Sequence, residues 1–270
     1  IEEIFKQYNV TDVIHLAAES HVDNSITGPG AFINTNIVGT FNLIDVARDH
    51  WMVKPGEFKP GCENNRFHHV STDEVYGDLE DDGSLFEETT PYAPSSPYSA
   101  SKASSDMIVR AYKRTYGMNI TVSNCSNNYG PKQHDEKLIP TVIRKCLAGE
   151  NIPVYGAGAN IRDWLYVLDH AKAIDLVFHK GIDGDTYNVG GRNERTNLQI
   201  VETICQILDQ KAPKADGSKY YDQVSFVQDR AGHDFRYAID ATKLEKELGW
   251  LADENFDSGI IKTVDWYLNK

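Results

Sequence analysis

Three short apolar runs, each separated from the next by a stretch of helical periodicity, most constrain this chain. They are "VTDVIHLAA" (10–18), "RFHHVS" (66–71) and "ITVSNC" (120–125). Between the first two, "AFINTNIVGTFNLIDVARDH" (31–50) carries apolar residues at helical spacing, followed by a Pro- and Gly-bearing loop, "KPGEFKPGCENN". Between the second and third, a helix is predicted from near Pro97, with Ser95 or Ser96 as its cap, to Tyr116, with Gly117 ending it. Strands joined by helical crossovers pair in parallel, which predicts an α/β fold with a Rossmann-like, doubly wound parallel sheet.

Beyond about residue 130 the texture changes. "DEKLIPTVIRKCLAG", "DHAKAIDLVFHKG", "TNLQIVETICQILDQ" and "NFDSGIIKTVDWYLNK" read as helices, and "IPVYG", "TYNVGG" and "VSFVQD" as short strands. We therefore expect residues 1–130 to form a dinucleotide-binding domain and 131–270 mainly a smaller mixed α/β lobe, with some segments returning to the first domain. The stretch 78–96, "DLEDDGSLFEETTPYAPSS", reads as a long exposed loop, and its acidic run Glu80 to Asp82 as solvated.

Composition removes several classes. A formal charge of −13 argues against a general affinity for nucleic-acid phosphates and leaves a small molecule as the partner. No apolar run is long enough to span a bilayer. The four cysteines lack CxxC spacing, so a zinc site is not expected, and core packing in a reducing cytoplasm is. Nine histidines yield no HExxH, and His68 and His69 would point to opposite faces of a strand, so no metal is expected.

In an open parallel sheet, ligands bind beyond the carboxyl ends of the strands. Three polar segments fall there: "AAESHVD", "STDEVYG" and "SNNYGP". On its own, "STDEVYG" (71–77) also suits a capped turn closed by Gly77. In "YSASK", Tyr98 and Lys102 are four residues apart and share one helix face. An ammonium beside a phenol favours the phenolate and would make Tyr98 a base near neutrality. An ordinary solvent-facing pair is the plain alternative for that spacing alone.

Taken together and in this order, "LAAESHVD", "TNIVGT", "STDEVYG", "SPYSASK", "NNYGP", "IRDWLYV" and "YNVGG" resemble the extended short-chain dehydrogenase/reductase family of nucleotide-sugar enzymes, from about residue 10 to the C-terminus. Within it they resemble the branch that converts dTDP-glucose to dTDP-4-keto-6-deoxyglucose for deoxysugar synthesis. The resemblance implies NAD as cofactor. It makes Tyr98 the base at the sugar 4-hydroxyl, has Lys102 lower the pKa of Tyr98 and hold the cofactor ribose, and has Thr72 hydrogen-bond the same hydroxyl. Elimination of water across C5–C6 needs a base and an acid, and the resemblance assigns these to Glu74 and Asp73. A 4-epimerase, which oxidises and re-reduces C4 without elimination, has no chemical need for that carboxylate pair.

The same resemblance places Leu16, Ala17, Ala18, Thr35 and Asn128 along NAD, and Ser20 and Asn127 near the sugar or its diphosphate, with Ser20 also counted toward the cofactor. For the nucleotide and diphosphate it points to Lys137, Leu138, Pro153, Tyr155, Arg162, Asn197, Asp229 and His233. Arg162 has the strongest physical case, since a guanidinium fork matches phosphate oxygens, with a surface ion pair to Asp163 as the plain alternative. The alternatives for the whole chain are a UDP-glucose dehydratase, a nucleotide-sugar 4-epimerase, or a non-catalytic nucleotide-sugar-binding remnant. A homodimer built from the 31–50 and "YSASK" helices is implied too.

The family opens with a strand and a Gly-rich turn that cradles the pyrophosphate, and these 270 residues begin without it. The expectation is therefore that roughly 60 residues, two βα units, precede Ile1. It follows that this polypeptide alone binds NAD poorly and is inactive.

Overall fold

A computed structural model of the chain describes residues 1–229 and 232–270. Helix α1 (Glu2–Tyr8) leads into strand β1 (Val13–His15), and the chain then runs through α2 (Val22–Thr27) and α3 (Pro29–Phe32) into a π-helical segment, Ile33–Val38, and α4 (Gly39–Trp51). The stretch expected as one helix over 31–50 is therefore helical throughout, with a change of winding in its middle. A small hairpin, β2 (Met52–Lys54) and β3 (Glu57–Phe58), corrects the expected plain loop: Pro55 and Gly56 make its turn, with Gly56 at φ +77°. Next come β4 (Phe67–Thr72), a 3-10 turn over Asp73–Tyr76, α5 (Pro97–Tyr116) and β5 (Ile120–Cys125).

The boundaries of α5 follow from local chemistry. Ser96 and Ser99 form a reciprocal capping box, Pro97 occupies the first turn where no N–H is needed, and Gly117 takes the left-handed conformation at φ 77°. Strands β1, β4 and β5 lie side by side and all parallel. β1 is shorter and less buried than a central strand. It lies at the end of the sheet path, and of its three residues only His15 is buried.

The second half supplies β6 (Asn127–Tyr129), α6 (Leu138–Ala148), β7 (Ile152–Tyr155), β8 (Ile161–Tyr166), α7 (Val167–Lys180), β9 (Thr186–Val189), β10 (Glu194–Thr196), α8 (Asn197–Lys211), β11 (Val224–Val227), β12 (Arg236–Tyr237), α9 (Thr242–Leu248) and α10 (Phe256–Leu268). β9 joins the first sheet, whose order is β1-β4-β5-β9. Helices α1, α4 and α5 cover one face around Ile44, Trp51, Phe67 and Ile120, while α7 and α9 cover the other around Val177, Tyr187 and Leu244. Wholly buried side chains of this size are worth about 1.5–3 kcal/mol each. A separate core around Tyr129, Ile143, Trp164, Ile204 and Phe256 joins α6, α8 and α10 to β7 and β8.

The loop 78–96 is held more tightly than its composition suggests. Phe86 is buried and bridges to Ile239, and the buried Arg236 donates to the carbonyls of Glu80 and Ser84. Gly77 is required at its start. The residue sits at φ +100°, and a Cβ there would lie 2.7 Å from the Ala93 carbonyl oxygen.

Candidate active site

Register sets the first contact. Thr72, the last residue of β4, pairs with Cys125, the last of β5, at the carboxyl end of the sheet. The backbone then turns sharply, and Thr72 Oγ1 accepts the Glu74 N–H at 3.3 Å while donating to Asp73 Oδ1 at 3.3 Å. The threonine therefore caps the 3-10 turn as well as facing the site. Asp73 is 1% exposed, and its Oδ2 is buried without a hydrogen-bond partner. Burial, then repulsion from Glu74 and Asp163, push its carboxyl well above the usual range, against attraction from Arg162 and the Thr72 hydrogen bond.

Tyr98 stands on the first turn of α5, buried, near the Thr72 hydroxyl. Here the structure differs from the expectation of a base near neutrality: burial, then the nearby Glu74, hold the phenol well above its ordinary pKa. The Lys102 ammonium is buried and donates to the Val70 carbonyl at 2.8 Å. Burial lowers its own pKa, with Asp106 and Cys125 opposing. Cys125, adjoining the same groups, has its thiol pushed up to about 12, chiefly by burial and then by Asp73.

A cleft of about 330 Å³ opens beside this cluster. Ser20, Glu74 and Asn127, one from each polar segment at a strand end, line it together. Lys137, Leu138, Pro153, Tyr155, Arg162, Asn197 and His233 line it as well. Asp229 is not in the lining, but its Oδ1 lies 2.6 Å from His233 Nδ1. Lys137 Nζ donates to the Ser20 carbonyl at 2.6 Å, tying the first strand-end segment to α6. Asn127 Oδ1 is buried without a partner at the cleft wall.

Arg162 is 7% exposed and does not pair with Asp163. Adjacent strand residues face opposite ways. Asp163 accepts the N–H groups of Gly191 at 2.9 Å and Asn193 at 2.6 Å. The Arg162 guanidinium lies 4.2 Å above the Tyr237 ring and donates to the carbonyls of Ile161, Asp234 and Phe235. It is thus fixed by neutral acceptors, with its charge directed toward the cleft region.

The cofactor-side residues lie elsewhere. Leu16, Ala17 and Thr35 are exposed and Ala18 half-buried, outside the cleft lining. Asn128 is held inside the protein: its amide donates to Ser126 O and Cys125 Sγ, and its Oδ1 lies 2.8 Å from His170 Nδ1. His170 is lowered to about 4 by burial and is neutral. Among the described residues no cluster suits a metal ion, and no helix is long and apolar enough to cross a membrane.

Among the cleft-lining residues that sequence reasoning did not assign to the site are Glu136, Trp164, Asp234 and Tyr237. For Trp164 the signal was present: it lies two residues from Arg162 on one strand, hence on the same face. Trp164 lines the cleft and also packs against Tyr129. Tyr237 and Asp234 lie in "HDFRYAID", which has no periodicity or motif to single them out.

A parallel sheet wound on both faces, with a Thr-Asp-Glu strand end, a Tyr-Lys helix face and an arginine-bearing cleft between sheet and lobe, defines a nucleotide-sugar enzyme of the short-chain dehydrogenase/reductase type. The chain belongs to the family described as GDP-mannose 4,6 dehydratase, whose model matches residues 1–263. It is 57% identical over 271 residues to a dTDP-glucose 4,6-dehydratase of Neisseria gonorrhoeae, covering 100% of this chain and 78% of that protein. It is 59% identical over 276 residues to one of Salmonella typhimurium, covering 99% and 75%. Among solved structures, a dTDP-glucose 4,6-dehydratase from Streptomyces venezuelae with NAD bound matches at 40% identity and TM-score 0.87, over 100% of this chain and 77% of that one. A UDP-glucose 4-epimerase of Thermus thermophilus in complex with NAD matches at 27% identity and TM-score 0.85, over 99% and 80%.

Proposed function

We propose that this protein removes water from dTDP-glucose, using NAD, to give dTDP-4-keto-6-deoxyglucose. The observation that carries the reading is Asp73, a fully buried carboxyl held toward its protonated form directly beside the cleft-lining Glu74. Two carboxyl groups whose environments differ in this way can act as acid and base in one elimination. Epimerisation at C4 would not use the pair.

The residues at the carboxyl ends of the strands suit a dinucleotide. Leu16, 59% exposed, forms an apolar ledge at the end of β1, and the buried Lys102 ammonium lies behind the Thr72 strand end. Leu16, Ala17, Ala18, Thr35, Lys102 and Asn128 would hold NAD, with Ser20 and Tyr98 at its edge. Bound there, NAD supplies a reversible hydride acceptor for the sugar.

Tyr98 takes the proton of the sugar 4-hydroxyl, and Thr72, beside the phenol, orients that hydroxyl. Lys102, one turn further along the same face, supplies the positive charge that favours the phenolate. Oxidation at C4 acidifies C5, Glu74 receives the C5 proton, and Asp73 delivers its proton to the departing C6 hydroxyl; the hydride taken from C4 would then return to C6 while Glu74 gives the proton back to C5, so the cofactor would not be consumed. Arg162 takes the diphosphate as a two-point cation. Ser20, Asn127, Lys137, Leu138, Pro153, Tyr155, Asn197, Asp229 and His233 surround the remainder of the nucleotide sugar.

In this reading residues 1–130 hold the dinucleotide and 131–270 mainly the nucleotide sugar. The protein works in the cytoplasm, and two copies pair through α4 and α5, whose outer surfaces expose Phe41 and Met107. Sedimentation velocity distinguishes a dimer from a monomer. The function itself is tested by expressing the protein from its natural coding sequence, supplying NAD with dTDP-glucose or UDP-glucose, and weighing the products. Loss of one water from the dTDP sugar is the expected result, and unchanged mass for both sugars overturns it.

A further inference from the structure

Helix α5 carries a second acidic group on the face that bears Tyr98 and Lys102. Asp106 lies one turn beyond Lys102, as Lys102 lies one turn beyond Tyr98, so the three side chains form a row. Asp106 is wholly buried, yet it is surrounded by donors. Its Oδ2 accepts Ser71 Oγ at 2.8 Å and the Tyr92 hydroxyl at 2.9 Å, and its Oδ1 lies 3.0 Å from His69 Nε2. These donors come from β4 and from the loop before α5, so the carboxylate clamps the helix to the strand that ends in Thr72.

Asp106 is the acid one turn along α5 from Lys102, and its Ser71 partner on β4 is the neighbour of Val70, whose carbonyl accepts the Lys102 ammonium. On β4, His69 is held below its ordinary pKa by burial and then by Lys102, and its Nε2 lies 3.0 Å from Asp106 Oδ1. On β1, His15 is lowered to about 3, first by burial, and is neutral. On β5, Cys125 is a thiol. Further along α5, Arg110 is a second cation, directed to the Tyr92 hydroxyl at 2.9 Å. Asp106 stays ionised: burial opposes it, but the His69 hydrogen bond, Lys102 and Ser71 together hold it below the usual range.

We propose that Asp106 is a positioning residue: through its buried cluster with Ser71, Tyr92 and His69 it pins α5 to β4 beside Val70 and so keeps the Lys102 ammonium seated on the Val70 carbonyl, one turn from Tyr98. This rests on the roles of Tyr98 and Lys102 given above. Without the carboxylate one turn away, the buried ammonium would lie near less negative charge, Lys102 would shed its proton more readily, and Tyr98 would be harder to ionise.

The test is Asp106→Asn, which keeps shape and removes charge. With lysines labelled at 13Cε and Lys102 assigned by its absence in Lys102→Met, the Lys102 titration midpoint should fall by about one unit or more in Asp106→Asn. In activity, the acid limb of kcat/KM should move to higher pH, giving about a tenfold loss below the limb and recovery above it. An unmoved Lys102 midpoint, or a uniform loss with an unmoved limb, overturns the proposal. If the wild-type protein releases no water from dTDP-glucose, the functional reading fails, while the NMR titration still judges the coupling. Should Asp106→Asn not fold, the reciprocal measurement serves. In Lys102→Met the Asp106 13Cγ signal, assigned by its loss in Asp106→Glu, should titrate at higher pH than in the wild type, and an unchanged midpoint refutes the coupling.

Discussion

His68 offers a quantitative test of how the sheet interior treats a titratable ring. It is fully buried between β4 and β5, with Nδ1 2.9 Å from Thr121 Oγ1 and Nε2 3.1 Å from Ser123 Oγ. Burial, then repulsion from His69, His170 and Arg66, lower its pKa from 6.5 to about 3. A folded-state pKa below the unfolded one stabilises the native state above the unfolded value, and that stability is lost as pH falls from 6.5 toward 3. At pH 5 the unfolded ring is protonated and the native ring is not. The 1.5-unit gap from the unfolded value then amounts to about 2 kcal/mol lost relative to pH 8. Other buried groups titrate too, and Asp73, raised in the native state, acts in the opposite sense, so total stability is the wrong readout. The difference between wild type and His68→Asn isolates this one ring. Urea unfolding at pH 8 and pH 5, followed by tryptophan fluorescence, should show the wild type losing about 2 kcal/mol more than the variant over that interval. Parallel pH dependences in the two proteins would refute the reasoning, whatever their absolute stabilities.

Three further outcomes follow from the site and its frame. Asp73→Asn and Glu74→Gln should each slow release of water from dTDP-glucose by roughly 10²–10⁴-fold with little change in KM, and unchanged turnover would remove both from the elimination. Arg162→Lys keeps the charge but loses the fork that bonds three carbonyls and stacks on Tyr237. KM for the nucleotide sugar should rise about 10- to 100-fold, and an unchanged KM would place the diphosphate elsewhere. Gly191→Ala would put a Cβ 2.2 Å from the Trp164 carbonyl oxygen, so thermal unfolding should show a loss of about 1–3 kcal/mol, and an unshifted Tm would contradict that close approach.

Much of the fold was legible because its signals are local. β5 and α5 coincide with the expected segments, since an alternating apolar run and a Ser-Pro-x-Ser start with a terminal Gly act over a few residues. The capped turn at Asp73–Tyr76 was legible in "STDEVYG", but the clasp of loop 78–96 by Arg236 was not. Arg236 lies more than 150 residues from the carbonyls it binds, and no spacing rule reaches that far. In the site, Ser20, Glu74 and Asn127 could be gathered because each follows a parallel strand. Tyr237 and Asp234 could not, because they arrive from a segment without periodicity.

The sequence by itself determined the chemical inventory: a threonine and two carboxylates at one strand end, a tyrosine and lysine on one helix face, and an arginine suited to phosphate. These are matters of residue type and short spacing, which the chain carries before it folds. Only the tertiary structure decided the state of those groups. Asp73 is driven toward its protonated form, Tyr98 is kept as a phenol, and Lys102 is turned to the Val70 carbonyl with Asp106 behind it. The physical reason is that desolvation and Coulomb interaction depend on everything packed within a few ångströms. At this site those neighbours come from β1, β4, β5, α5 and β8, which only the completed fold brings together.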